Sequence, residues 1–130
     1  MYIHGFIKEF PQWNKIYDKL VIRWFPSNVD AFSGMWNLIM ISESAIKKYQ
    51  LHLEECFACI AHEIGHYLDP TIRIGKNNEE RELNADKKVI ELGLQEHLIS
   101  ALKKLCADDT PEQKLLTNKR IKALEESFNR

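Results

Sequence analysis

The chain has no run approaching the ~20 apolar residues that a membrane-spanning helix needs, although 45% of its 130 residues are hydrophobic. That argues against a helical membrane protein and leaves enough material for one compact domain with a real core. The opening residues, Met1-Tyr2-Ile3-His4-Gly5-Phe6, lack the basic region and apolar stretch of a secretory signal. The formal net charge is only −1, so no basic patch argues for a nucleic acid or a membrane surface as partner. Cysteine is scarce and odd in number, at three. Cys56 and Cys59 stand i, i+3 in an expected helix and read as reduced, packed thiols, not as a disulfide framework. A cytoplasmic setting is the expectation. No repeat, low-complexity tract or second domain breaks residues 1–130.

Against those absences, one stretch carries chemistry: His62-Glu63-Ile64-Gly65-His66. Two histidines four apart on a helix rise about 6 Å along its axis and point to one side. Both imidazoles can reach one metal ion, while Glu63, turned about 100° away, flanks the ion and accepts a proton from its water. This is the HExxH arrangement of zinc hydrolases. Leu53, Phe57, Ile60, Ile64 and Leu68 recur at spacings of four and three, a buried stripe with the histidines at its edge. Gly65 is costly in a helix interior, by about 1 kcal/mol relative to alanine, so close packing against it is expected.

A catalytic zinc usually takes three protein ligands. Downstream, Asn77 and Glu80 have capping-box spacing and open a second helix near Asn78 that runs through Val89, Ile90 and Leu94. Its first turns read Glu79-Glu80-Arg81-Glu82-Leu83-Asn84-Ala85-Asp86, with Glu82 and Asp86 on one face. HExxH followed by E-x-x-A-D resembles the gluzincin peptidases, whose third zinc ligand is a glutamate on its own helix. The stretch is similar to that in the soluble core of HtpX-type membrane peptidases and in the thermolysin family. The whole chain resembles the minigluzincins, single-domain gluzincins of about this size.

The resemblance implies that His62, His66 and Glu82 bind one Zn2+ and that Glu63 is the general base. It also implies that Asp86 accepts the other ring N–H of His62, a contact that fixes the tautomer. Gluzincins often add a second electrophile at the oxyanion; His97, Tyr67 and Arg73 are candidates, with His97 favoured because it can fold back over the cleft. The expected activity is zinc-dependent hydrolysis of a peptide or protein substrate. The alternatives are a regulatory protease of the ImmA/IrrE type acting on a repressor, and a non-catalytic zinc-binding module. Minigluzincins resemble one another in being found as latent forms, so residues 1–17 or the last helix are expected to occupy the cleft.

The fold expected is α+β and zincin-like: a small antiparallel or mixed sheet packed on an active-site helix and a glutamate helix, with a helical C-terminus. Strands are placed within about 18–42, from Leu20-Val21-Ile22-Arg23-Trp24-Phe25 and Met35-Trp36-Asn37-Leu38-Ile39-Met40-Ile41-Ser42. By analogy with zincins, residues 36–41 are the candidate for the edge strand that an extended substrate would join; the other reading of that run is a buried central strand. Residues 5–17 suggest an opening helix. The active-site helix is placed at about 53–68, the glutamate helix at about 78–92, and the last helices at about 95–128. Thr110-Pro111-Glu112-Gln113 reads as N-cap, N1 proline and N3 glutamine. Lys119-Arg120 and Glu125-Glu126 read as a solvated face.

Overall fold

A computed structural model describes the backbone of residues 21–25, 32–35, 38–68 and 78–129, with side chains over 44–66 and 79–129. The expected opening helix at residues 5–17, the connection 69–77 with Arg73, the cap residue Asn77 and the side chain of Tyr67 lie outside these residues.

The centre of the molecule is the helix carrying the histidine motif. In chain order, α1 is Glu43–Tyr49, α2 is Leu53–Leu68, α3 is Asn78–Glu91, α4 is Gln95–Leu105 and α5 is Pro111–Ser127. Along α2, Cys56, Ala58, Cys59, Ile60, Ala61, His62 and Ile64 are all buried. A helix apolar on nearly every side needs cover on nearly every side. Leu98, Ile99, Ala101 and Leu102 from α4, Val89 from α3 and Leu124 from α5 help supply it. The expected stripe is therefore too narrow: Leu53 is exposed, and the small residues between the stripe positions are buried as well.

Short backbone strands precede the helices at Val21–Phe25 (β1), Phe32–Met35 (β2) and Leu38–Ser42 (β3). β3 lies between the other two, parallel to β1 and antiparallel to β2. The edge role expected of residues 36–41 is thus not met, because the described part of that run, from Leu38, has neighbours on both sides. The expected α+β class is likewise corrected to a helical fold. The residues described in full are 86% helical and contain no strand. The physical reason is that amphipathic helices α3 and α4 cover most of α2, with β2 also against it, so helix-on-helix packing forms the layers that hold the candidate site.

Two chain reversals fix the helices against one another. After α3, Gly93 has φ +73°, and the N–H groups of Gly93 and Leu94 return to Ile90 and Val89 at 3.0 Å each. This closes the helix with a left-handed glycine and satisfies its last carbonyls. Thr110 caps α5 in a complete capping box with Gln113, and Pro111 takes the first turn, where its missing N–H costs nothing. No helix among the described residues is long and apolar enough to cross a membrane.

Candidate metal centre

The histidine motif sits where α2 and α3 approach most closely, and Gly65 is the reason they can. A Cβ added there would lie 2.5 Å from the carbonyl oxygen of Ala85. Glycine on one helix faces the backbone of the other beside alanine, so Glu82 and Asp86, one turn apart on α3, are brought opposite His62 and His66.

His62 and His66 stack edge to face, with ring centroids 4.6 Å apart. Their Nε2 atoms converge on one carboxylate: His62 Nε2 is 2.9 Å from Oε2 of Glu82, and His66 Nε2 is 3.2 Å from its Oε1. One ligand atom from each residue lies within 4.8 Å of the others, a spacing that could hold a metal ion. The far nitrogen of His62, Nδ1, lies 2.7 Å from Oδ1 of Asp86. At that distance the nitrogen must carry a proton and donate it, since two bare acceptors would repel. All three ligands and the carboxylate implied behind His62 are thereby brought together.

The electrostatics are those of crowded carboxylates around histidine. Burial alone would lower the His62 pKa, but the hydrogen bonds to Asp86 and Glu82 prevail and push it up to about 9. Burial also works against the charge of Glu82 and Asp86. For Glu82 it is outweighed by hydrogen bonds from His62 and His66, for Asp86 by hydrogen bonds from His62 and Arg120, and both stay below the carboxylate range. Glu63 goes the other way. Its burial raises it, more than the nearby rings of His62 and His66 lower it. A carboxylate raised toward neutrality is a better proton acceptor in transfer.

The residues fit a divalent transition ion on two counts. Two imidazole nitrogens and one carboxylate are a donor set that zinc accepts, with room in its usual four-coordination for a water. In charge, Glu82 and Asp86 are buried carboxylates held ionised beside Arg120, and a cation at the converging Nε2 atoms would take the place of the second proton that the raised His62 holds. Among the described residues, Nδ1 of His66 is a buried polar atom with no hydrogen-bond partner, so its polar contact is made through Nε2 on the same side as His62.

Two residues depart from expectation. His97, the favoured oxyanion partner, lies in the first turn of α4, partly buried, and no hydrogen bond or ion pair among the described residues joins it to the centre. Arg120, read as part of a solvated face, is largely buried and pairs with Glu82 and Asp86 of α3. A signal for it existed: Thr117, Arg120 and Leu124 follow helical spacing, and Thr117 and Leu124 are the buried residues of α5. Cys59 is not among the clustered ligands; burial pushes its thiol far above the ordinary value.

No family model matches the chain, and no curated protein or solved structure matches it.

Proposed function

We propose that the chain is a zinc-dependent metallopeptidase of gluzincin type, acting on a peptide or protein substrate. The observation that carries this reading is the convergence of His62 Nε2 and His66 Nε2 on Glu82, with Asp86 behind His62. His62, His66 and Glu82 would hold one zinc ion. When bound, zinc supplies a water acidified toward a pKa of ~7 and polarises the scissile carbonyl.

The protein's own residues do the rest. Asp86 keeps a proton on Nδ1 of His62 and so leaves the Nε2 lone pair free for the ion. Glu63, partly buried and raised in pKa, takes the proton of the attacking water and passes it to the leaving amine. A purely structural zinc site has no use for such a base, which favours catalysis over a binding module. The buried, unpaired thiols of Cys56 and Cys59 support a reducing, cytoplasmic setting.

The test is cleavage of casein or a quenched peptide by the full chain and by Glu63→Gln, with zinc content measured in both. The reading expects both proteins to hold zinc and only the first to cleave. Equal cleavage by the two would remove Glu63 from the mechanism.

A further inference from the structure

Arg120 comes from the last helix, α5, 34 residues beyond Asp86. Its Nε donates to Oδ2 of Asp86 and its Nη2 to Oδ1, each at 2.9 Å. This two-pronged fit is one that a guanidinium makes with a carboxylate and an ammonium cannot. Nη1 stands 3.4 Å from Oε2 of Glu82. One side chain therefore touches the carboxylates on both sides of His62. Its Nη2 also lies 3.2 Å from His62 Nδ1; because both atoms carry protons, they meet as two donors sharing Oδ1 of Asp86.

Asp86 is only 3% exposed. Without Arg120 it would have a single donor, His62, for two oxygens, and an acidic neighbour, Glu82, one turn away on the same helix. Among the described residues, nothing else would then fix the direction of the bond to Nδ1. Arginine supplies both the countercharge and the orientation.

We infer that Arg120 is a positioning residue of the metal centre: it clamps Asp86 so that His62 holds its proton on Nδ1 and presents Nε2 to the ion. The inference rests on the zinc reading above and extends it to α5. The last helix then forms a wall of the centre. Cutting it away removes the clamp along with the helix.

The experiment is zinc titration of the full chain by calorimetry, alongside proton NMR of the His62 Nδ1–H in the metal-free protein. It compares the unaltered chain with Arg120→Met, Arg120→Lys, Asp86→Asn and the Met/Asn double variant. Zinc affinity should fall roughly 10–100-fold in Arg120→Met, the usual effect of losing a partner of this kind. Arg120→Lys should recover thermal stability more fully than affinity, since it restores charge but not the fork. The double variant should bind about as weakly as Asp86→Asn, because Arg120 acts through Asp86. The Nδ1–H signal should be protected from exchange in the unaltered chain and lose that protection in both Arg120 variants.

Unaltered affinity and an unaltered Nδ1–H signal in the folded Arg120→Lys protein would overturn the clamp, as would additive losses in the double variant. If the unaltered chain takes up no zinc, the zinc reading fails by itself. The protection of Nδ1–H in the unaltered chain against the Arg120 variants then still decides the clamp.

Discussion

Two buried polar clusters tie α2 to the helices that follow it, and they are built on opposite principles. At the start of α2, Glu55 accepts from the backbone N–H of His52 at 2.8 Å, from Lys104 at 2.7 Å and from Ser100 at 2.7 Å. Lys104 also donates to the carbonyl of Gln50 at 3.0 Å. One carboxylate meets one ammonium, and both its oxygens have donors. In the second half of the same helix, His62 and His66 face Glu82 and Asp86 with Arg120 as the cation in contact. There the Nε2 atoms of His62 and His66 converge on one carboxylate, and among the described residues Nδ1 of His66 has no hydrogen-bond partner. A cluster whose donors and acceptors all pair is a clamp; one whose ligand atoms converge with a polar atom left over is a candidate site. Similar residue types thus serve stability in one place and, on the proposed reading, ligand binding in the other.

The contrast can be broken most sharply at Glu63. Glu63→Gln should cut peptide hydrolysis by about 10²–10⁴-fold, the range for losing a general base, with zinc retained. Glu55→Gln should leave turnover as it is. A Glu63→Gln enzyme with full turnover would make the second cluster no more catalytic than the first.

Gly65→Ala tests the contact that brings the two halves of the centre together. The added methyl meets the Ala85 carbonyl, and such overpacking costs about 1–3 kcal/mol, read from urea unfolding. Zinc affinity should fall with it, because His62 and His66 stand on one helix and Glu82 on the other. Unchanged stability would show that α2 and α3 are not held so close.

Glu55→Gln should cost roughly 1–3 kcal/mol, the range for a charged hydrogen-bonded group losing its charge, without altering zinc affinity. The pH dependence follows from the direction of its shift. Burial would raise Glu55, but Lys104, the His52 N–H and Ser100 together hold it below its ordinary value of 4.5. A group lowered on folding contributes stability above its unfolded pKa and loses it as pH falls through the folded one. Acid unfolding monitored by circular dichroism should therefore be less steep below about pH 4.5 in Glu55→Gln. Identical acid profiles would mean that Glu55 is not clamped.

The smallest effect is expected at His97. With no bond to either cluster among the described residues, His97→Ala should change stability by less than about 0.5 kcal/mol and leave turnover unaltered. A clear loss of turnover alone would return it to the oxyanion.

Much of the centre was legible because helix periodicity is a local property. His62 and His66 share a face by a spacing of four, as do Glu82 and Asp86. The resemblance to gluzincins implied that the two pairs meet, and Gly65 announced a close approach because it is costly in a helix interior. The capping box at Thr110 was equally local. What was not legible depends on contacts between distant segments. Arg120 looked like surface charge because Lys119 beside it is exposed, and only the packing of α5 turns it inward. His97 was placed by the idea of a chain folding back, which spacing cannot establish. The fold class was misjudged for a related reason: the runs at residues 20–25 and 35–42 read as strands and contain β1 and β3, but the residues described in full are helical. Whether strands or helices close the core around α2 depends on tertiary packing that no local pattern encodes.

The most direct test of the zinc centre is metal stoichiometry after exhaustive dialysis, for the full chain and for Glu82→Ala. The account expects one zinc ion per chain in the first and its loss in the second. No retained zinc in the unaltered chain, or equal zinc in both, would contradict it.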